Sequence, residues 1–348
     1  MKIIFVLPVS GGGGGAHSVI QEANELLAMG ADVSIAINAG NLTSMQVTYS
    51  DMPMVVGKFI GYTTVDDLAS KISPNSIVIA TIFTSVKLVK ELMTKVEKIK
   101  PAYYVQDYEP LFSPVNTPLW EEAYKSYTLI PDLNLFAKTE WLQNIVFKNH
   151  GVKVHKVAPS IDHSVYIPNL DSNKNRICAM VRPKSARRAP HRTMRVLRDI
   201  KKQMPHISIE VFGCETPDIK EQGLVSDFEF TNHGILKRHQ VSALMQKCDM
   251  FLDLSDFQAF GRTGLEAMAS GCISVLPSAG GVYEYAEDGI DSIIVDMNDE
   301  KLIAEKAVKF LQLPDNEKYI WKNRAIDKAQ NFSVRRAALS ELRFFKAI

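Results

Sequence analysis

The stretch LSDFQAFGRTGLEAMASGCISVLPSAGGVYEYAEDG, residues 254–289, contains two strand–loop–helix units in succession. An apolar strand, Met250–Leu254, leads through a polar, glycine-containing loop into a predicted short helix, Thr263–Ser270. A second apolar strand, Ile273–Leu276, leads into the turn Ser278–Gly281 and another short helix. The carboxyl ends of parallel strands meet at one edge of a sheet, where such sheets bind ligands. Because free N–H groups at helix N-termini attract anions, the stretch predicts a site for a phosphorylated ligand.

The same residues carry a family resemblance. The pattern F-G-x-x-x-L-E-A-M-A-x-G begins at Phe260, and G-G-x-x-E-x-x-x-D-G begins at Gly280 after one strand. Together they resemble the donor-site signature of the family-four retaining glycosyltransferases. The resemblance implies the α/β GT-B fold, in which two Rossmann-like domains face each other across a cleft and a C-terminal helix crosses back to the first domain. It also implies transfer of a sugar from a nucleotide-diphosphate donor.

The composition is that of an ordinary globular protein. A length of 348 residues favours two domains, and 46% hydrophobic with 23% charged residues is typical of globular chains. The net charge of +1 disfavours a nucleic-acid partner. The apolar run Ile3–Leu7 is too short for a signal peptide, and no run reaches the roughly 20 residues of a membrane span. The widely spaced cysteines are expected to be buried thiols, so a cytoplasmic protein is predicted.

The predicted domain organisation follows the resemblance. Residues 1–168 are expected to form a Rossmann-like acceptor-side domain, and residues 169–330 a Rossmann-like domain that binds the nucleotide sugar. Residues 331–348 are expected to form a C-terminal helix that packs back on the first domain. The polar stretch Asn169–Asn175, which has no hydrophobic periodicity, is the predicted boundary.

A glycine-rich loop follows the first predicted strand, Lys2–Pro8, and leads into a helix predicted from Ala16 to Met29. Five glycines in a row match the dinucleotide fingerprint only weakly, and no carboxylate follows the second strand to hold a ribose. A nicotinamide or flavin site is therefore disfavoured. The resemblance instead implies that this loop, with Gly13 and Gly14, faces the phosphates of the donor.

The short predicted strand Tyr103–Val105 ends in Gln106-Asp107-Tyr108-Glu109-Pro110, at the ligand edge. The resembled family often has a His-Asp pair there. Gln106 replaces the histidine, and Asp107 matches, which makes Asp107 a catalytic candidate with a helix cap as the alternative. The sequence V-Q-D-Y-E-P also resembles a subset of the family, the rhamnosyltransferases that use dTDP-rhamnose.

The predicted helix Val86–Ile99 has a basic exposed face. Such a face can rest on an anionic membrane, although Glu91 and Glu97 dilute its charge and favour an ordinary solvated surface. The lysines are Lys87, Lys90, Lys95 and Lys98. Because many enzymes of the resembled family use lipid-linked acceptors, peripheral contact with the inner face of the membrane stays open.

The densest basic run of the chain follows the predicted strand Arg176–Val181. Its members are Arg182, Lys184, Arg187, Arg188, His191, Arg192 and Arg195. Few acids precede Asp199, so pairing along one helix does not explain the run. Arginines bind diphosphates through charge-assisted bonds, whereas a nucleic-acid patch would also need interleaved aromatic residues. The resembled family binds the diphosphate with an Arg and, five residues on, a Lys; Arg182 matches the Arg, Arg187 stands at the Lys, and Arg188 is the alternative.

The resemblance assigns the remaining donor contacts. These are Gln258, Gly261, Arg262, Thr263, Glu266, Gly280, Gly281 and Val282. Glu266 is expected to bind the ribose hydroxyls, the N–H groups of Arg262–Gly264 to assist at the diphosphate, and the glycine turn to pass close to the donor. Where the family has a second glutamate against the donor sugar, this chain has Gln258. An amide accepts a hydrogen bond but carries no charge, which is compatible with a deoxysugar donor.

No metal or cofactor is predicted, because the chain has no D-x-D motif and no His/Cys ligand cluster. The predicted function is a metal-independent retaining glycosyltransferase of the hexosyltransferase class in polysaccharide or glycolipid biosynthesis. Its acceptor would be a saccharide or a lipid-linked saccharide. Two alternatives stay open: a sugar-nucleotide epimerase of the same fold, and a nucleotide-sugar-binding protein with impaired catalysis, which Gln258 suggests.

Overall fold

The computed structural model describes residues 1–169 and 175–348, which form two compact units. The first unit combines Met1–Ser160 with Phe332–Ile348, and the second is Ile161–Asn331. Most of the stretch predicted as the boundary, residues 170–174, lies outside the described residues. The chain changes unit between Ser160 and Ile161, ahead of the predicted boundary at 168 and 169. The following segment packs with the second unit, where Ser242 Oγ donates to the Val165 carbonyl at 2.7 Å.

A parallel sheet forms the centre of the first unit. In the described residues its strand order is β3-β2-β1-β4-β5-β6-β7. The strands are β1 Lys2–Val6, β2 Asp32–Asn38, β3 Phe59–Tyr62, β4 Ile77–Ala80, β5 Lys100–Val105, β6 Asn134–Ala137 and β7 Val154–Lys156. Continuous apolar runs such as Ile3–Val6 are fully buried, as expected for a parallel sheet covered on both faces.

Helices cover this sheet. They are α1 Gly14–Ala28, α2 Leu42–Thr48, α3 Pro53–Val56, α4 Val65–Ser70, α5 Phe83–Lys95, α6 Pro118–Ser126 and α7 Glu140–His150. Helix α1 begins at Gly14 instead of the predicted Ala16, because its first turn closes when the His17 N–H donates to the Gly13 carbonyl at 3.0 Å. A late segment of the chain, the helix Val334–Ala347, packs against α1, and its Phe345 ring lies 6.1 Å from that of Phe5.

A second parallel sheet forms the centre of the second unit, with the order β10-β9-β8-β11-β12-β13. Its strands are β8 Arg176–Met180, β9 Ser208–Phe212, β10 Thr231–Asn232, β11 Met250–Leu252, β12 Ile273–Pro277 and β13 Ser292–Val295. Its helices are α8 Pro190–Gln203, α9 Thr216–Glu221, α10 Arg238–Met245, α11 Arg262–Ala269, α12 Glu300–Leu311 and α13 Asp315–Gln330, and the helix returned to the first unit is α14. All four cysteines lie in this unit and are buried and unlinked.

Both sheets have a point at which the strand order reverses. It lies between β1 and β4 in the first sheet and between β8 and β11 in the second. Loops on either side of such a point separate and leave a crevice at the carboxyl edge. The predicted α/β class with two Rossmann-like domains is confirmed, and the loops after β8 and β11 are brought together at the ligand edge of the second domain.

Candidate functional site

The basic loop, residues 182–188, follows β8 at the point where the second sheet reverses its order. Its partner across that point is the loop after β11, and the Asp256 N–H donates to the Arg187 carbonyl at 2.8 Å. This backbone bond joins the two loops, so side chains from both can serve one ligand. The sequence predicted both loops as parts of one site, and the structure places them side by side.

Arg182 and Arg188 are close enough for each charge to act on the other. Burial, and then the charge of Arg188, lower the pKa of Arg182. Among the described residues, neither guanidinium forms an ion pair with an acidic side chain. Two like charges held together without an anion are unfavourable unless a ligand supplies the negative charge.

Arg187 has a different environment from its neighbour. Its guanidinium carbon lies 5.4 Å from the centre of the Phe257 ring, in a cation–π contact with the loop after β11. The sequence left Arg187 and Arg188 as alternatives for the diphosphate. The structure places Arg188 beside Arg182 and Arg187 where the two loops meet, and which of them binds a diphosphate stays a prediction.

Other cations of the basic run are paired inside the domain. Arg192 Nη1 lies 2.9 Å from both the Leu254 carbonyl and Asp256 Oδ1. Arg195 forms a two-pronged ion pair with Glu300, in which Nε and Oε2 are 2.9 Å apart. Arg192 and Arg195 therefore stabilise the domain. The part of the basic run that stays available for a ligand is the basic loop, residues 182–188.

The second loop ends at the N-terminus of α11. Gly261 has φ of +81°, a left-handed conformation that favours glycine, and an added Cβ would lie 2.7 Å from the Tyr285 hydroxyl. That hydroxyl donates to the Gly261 carbonyl at 2.7 Å and fixes the turn. Since the Gly264 N–H donates to the same carbonyl at 3.0 Å, the N–H groups of Arg262 and Thr263 are the ones available to an anion.

Glu266 lies one turn into α11 and is only 7% exposed. Its Oε1 is 3.9 Å from Arg262 Nε, and the Tyr166 hydroxyl hydrogen-bonds to the carboxyl group. Burial raises the pKa of Glu266, and the charges of Arg262 and Arg238 oppose that shift. Side chains from three segments of the second domain thus act on this buried carboxyl group.

The loop after β11 also bonds to the turn after β12. The Gly281 N–H donates to the Gln258 carbonyl at 2.7 Å. A Cβ on Gly280 would lie 2.0 Å from the Gln258 carbonyl oxygen. The φ angle of Gly280 is +110°, so only glycine fits there. Val282, also predicted at the site, has a fully buried side chain and begins a 3₁₀ turn. These glycines therefore hold two loops together, and contact with the donor stays a prediction.

The predicted residues of the first domain lie at two loops of its sheet. Gly13 precedes α1, and Gly14 is its first residue; a Cβ built on either would meet none of the described atoms within 4 Å. Asp107 follows β5, and its Oδ1 accepts from the N–H of Tyr108 at 2.9 Å. Open space beside the loop glycines is compatible with the predicted approach of a ligand.

The sequence pattern of the second domain matches a known family. Residues 167–328 fit the family described as "Glycosyl transferases group 1". This part of the chain is therefore similar to group 1 glycosyltransferase domains.

Three similar proteins extend the comparison. Sucrose synthase of Acidithiobacillus caldus is 35% identical over 72 residues, which is 21% of this chain but only 9% of that protein. HepE of Anabaena, solved with UDP-glucose, superposes over 100% of both chains with a TM-score of 0.79 and 15% identity. Sucrose-phosphate synthase of Thermosynechococcus elongatus superposes over 100% of this chain and 99% of its own, with a TM-score of 0.76 and 14% identity. Similarity at this identity shows the fold, and the predicted GT-B fold is confirmed.

Two residues of the second unit were missed by sequence reasoning. Tyr166, which hydrogen-bonds to Glu266, lies far from it in the chain and has no local motif. Asp253 falls within the strand predicted over Met250–Leu254, but it lies just after β11 and accepts hydrogen bonds from Ser255 and Gln258. An acidic residue at the ligand end of a strand was the signal that could have found it.

Across residues 1–169 and 175–348, no three His, Cys, Asp or Glu side chains are grouped so that they could hold a metal ion. Over the same ranges, no helix is both long and apolar enough to cross a membrane. Independence from metals and cofactors stays a prediction.

Proposed function

We propose that the chain is a retaining glycosyltransferase of the hexosyltransferase class. It would move a sugar from a nucleotide-diphosphate donor to a saccharide or lipid-linked saccharide acceptor. The group 1 glycosyltransferase domain supports the activity. HepE, of similar fold, binds UDP-glucose, and this supports a nucleotide sugar as donor.

The observation that carries the proposal is the pair Arg182 and Arg188. Both lie in the basic loop without an acidic partner among the described residues, and burial lowers the pKa of Arg182. A diphosphate would supply the missing negative charge, and charge-assisted bonds from arginine hold such groups strongly. The adjoining N–H groups of Arg262 and Thr263 add donors at the start of α11.

The proposed roles follow from the order of events in the transfer. Negative charge develops on the leaving diphosphate, and preorganised cations and N–H groups stabilise it. Glu266, fixed by Tyr166, is suited to accept hydrogen bonds from two adjacent ribose hydroxyls. Asp107 of the first domain is proposed as a catalytic group on the acceptor side. We propose that no metal ion takes part, because the arginines can neutralise the leaving group.

The finer assignments are also proposals. A deoxysugar donor such as dTDP-rhamnose rests on Gln258 and on V-Q-D-Y-E-P at residues 105–110. Polysaccharide or glycolipid biosynthesis in the cytoplasm fits such a donor. In α5, Lys87 pairs with Glu122 at 2.8 Å and Lys95 with Asp66 at 2.6 Å. Since these pairs neutralise much of the basic face, we attribute any contact with the inner face of the membrane to a lipid-linked acceptor.

A panel of sugar nucleotides tests the proposal. Each donor is incubated with the protein, with and without saccharide acceptors, and release of nucleoside diphosphate and the anomeric configuration of the product are measured. Release that depends on an acceptor, with retained configuration, is the expected result. An isomerised donor would indicate an epimerase, and binding without turnover would indicate a binding protein. If no sugar nucleotide changes the melting temperature, the donor site itself is refuted.

A further inference from the structure

Asp253 stands at the centre of a buried polar network after β11. The residue is 7% exposed, and its two carboxylate oxygens accept three hydrogen bonds. Oδ1 accepts from the Ser255 N–H at 3.2 Å and from Ser255 Oγ at 2.5 Å, and Oδ2 accepts from Gln258 Nε2 at 2.6 Å. Such a set of donors stabilises a buried carboxylate.

The network determines which way the Gln258 carboxamide faces. Only the amide nitrogen has hydrogens to donate to a carboxylate, so Nε2 and not Oε1 lies against Asp253. Nε2 also donates to Ser255 Oγ at 3.1 Å, and that hydroxyl can accept because it gives its own hydrogen to Asp253. The carbonyl oxygen of Gln258 therefore faces away from Asp253.

The backbone holds Gln258 in this position. Its N–H donates to the Ala279 carbonyl at 3.3 Å, and its own carbonyl accepts from the Gly281 N–H. The side chain is only 4% exposed. A carboxylate in place of the amide would put two anionic oxygens within 2.6 Å of each other without a hydrogen between them, which is strongly unfavourable. Only one carboxylate group thus fits at this contact, and it belongs to Asp253.

We propose that Asp253 is a positioning residue for donor selection. It fixes the Gln258 carboxamide so that the carbonyl oxygen is presented to the glycosyl group of the donor. That oxygen accepts a hydrogen bond from a sugar hydroxyl and brings no charge to the sugar. The inference rests on the proposed function, because it takes Gln258 to lie beside the donor sugar.

The test compares a nucleotide sugar with its own nucleoside diphosphate, using the most active donor of the panel. Isothermal titration calorimetry measures both affinities for the wild type and Asp253→Asn, whose amide would allow the Gln258 carboxamide to turn over. We expect about tenfold weaker binding of the nucleotide sugar, the effect of one hydrogen bond to a positioned group, and diphosphate affinity within about twofold. If Asp253→Asn weakens both affinities equally, or leaves both unchanged, the inference is overturned.

A double substitution provides the rescue. Gln258→Glu alone should lower the melting temperature and transfer activity, because it places two carboxylates together. Adding Asp253→Asn supplies an amide donor to the introduced carboxylate and should recover both quantities. If the double variant loses the sum of what the two single variants lose in melting temperature and activity, the inference is overturned. If the wild type binds neither ligand, the proposed function has failed; if it binds both and the substitutions are not coupled, the inference alone has failed.

Discussion

Two groups of charged residues in this protein differ in whether they have partners of opposite charge. In the first domain, the buried acid cluster (Glu22, Lys138 and Glu341) joins α1, the end of β6 and α14. Lys138 Nζ lies 2.5 Å from Glu22 Oε1, and Glu22 also accepts from Ser160 Oγ at 2.8 Å. In the second domain, Arg182 and Arg188 lie together in the basic loop without an acidic partner among the described residues.

The difference shows how to tell structural charges from ligand-binding charges. Burial alone would raise the pKa of Glu22, but Lys138 and the donated hydrogen bonds bring it below its ordinary value. Burial and the charge of Glu22 raise the pKa of Glu341 well above its ordinary value, which favours the neutral form of Glu341 beside the Glu22 carboxylate. The buried acid cluster balances its own charges. Arg182 and Arg188 of the basic loop have no such partner among the described residues, which is why we propose that a ligand supplies their counter-charge.

The largest expected effect comes from breaking the buried acid cluster. Lys138→Met should lower the free energy of unfolding by about 3 to 5 kcal/mol, since it leaves the Glu22 carboxylate buried without a cation. Urea denaturation measures this. The matched control is Lys156→Met, which removes a lysine paired at 3.0 Å with the exposed Glu140 and should cost under about 1 kcal/mol. If Lys138→Met and Lys156→Met lower the free energy of unfolding equally, the buried ion pair stabilises the protein no more than the exposed one, which would contradict this prediction.

The basic loop should respond in activity and not in stability. Arg182→Ala should reduce kcat about 100- to 1000-fold, the usual loss when one preorganised donor is removed from a developing charge. The melting temperature should stay the same or rise, because Arg182 is exposed and its removal relieves the repulsion from Arg188. Steady-state kinetics and calorimetry check both. Arg195→Ala, which removes an arginine already paired with Glu300, is the control and should keep most of the activity. A lower melting temperature for Arg182→Ala would mean that this arginine stabilises the fold.

Glu109 sharpens the comparison, because it is a buried acid that pairs with no cation in the part of the chain that the structure describes. Its Oε2 accepts from the Phe83 N–H at 2.6 Å and from the Tyr103 hydroxyl at 2.7 Å, while burial raises the pKa of the carboxyl group to about 7. The folded protein therefore holds this proton more tightly than the unfolded chain. The resulting stabilisation, on the order of 3 kcal/mol, is present below pH 4.5 and is lost as the pH rises through 7.

The pH dependence of Glu109→Gln tests this directly. The amide has no proton to lose, so the difference in free energy of unfolding between wild type and variant should change across pH 4.5 to 7. The wild type should lose stability relative to the variant as the pH rises. Urea denaturation at several pH values measures the difference. If the free energies of unfolding of wild type and variant differ by the same amount at every pH, Glu109 does not titrate in this range.

The smallest expected effect belongs to Glu266. Glu266→Gln keeps the shape of the side chain but removes the charge, and it should weaken binding of the nucleoside diphosphate about tenfold by weakening the bonds to the ribose. Glu317→Gln, on the exposed surface of α13, is the control and should bind normally. Calorimetric titration distinguishes them. Unchanged affinity in Glu266→Gln would refute the ribose role.

The sequence predicted the fold well because its signals are local. Apolar runs followed by glycine loops and amphipathic helices are written in consecutive residues, and the parallel sheets follow from their alternation. The start of α1 was misplaced because glycine has a low helix propensity, yet the packing of α1 holds Gly14 in the helix.

The predicted site was less complete because side-chain directions are not local. Arg187 and Arg188 are adjacent in sequence, and only their contacts with Phe257 and Arg182 separate them. Asp253 looked like part of an apolar strand, but β11 ends at Leu252 and the carboxylate turns toward Gln258. The partners Glu22 and Glu341 come from opposite ends of the first unit, so no motif could join them.

The division of the first unit into Met1–Ser160 and Phe332–Ile348 also sets the order in which the protein can fold during synthesis. The ribosome completes the whole second unit before α14 emerges. Until then α1 has no partner for the face that α14 covers, and Phe344 and Phe345 are missing from the core. The second unit can therefore fold before the first unit is complete, since the first unit needs a segment that is synthesised after the second.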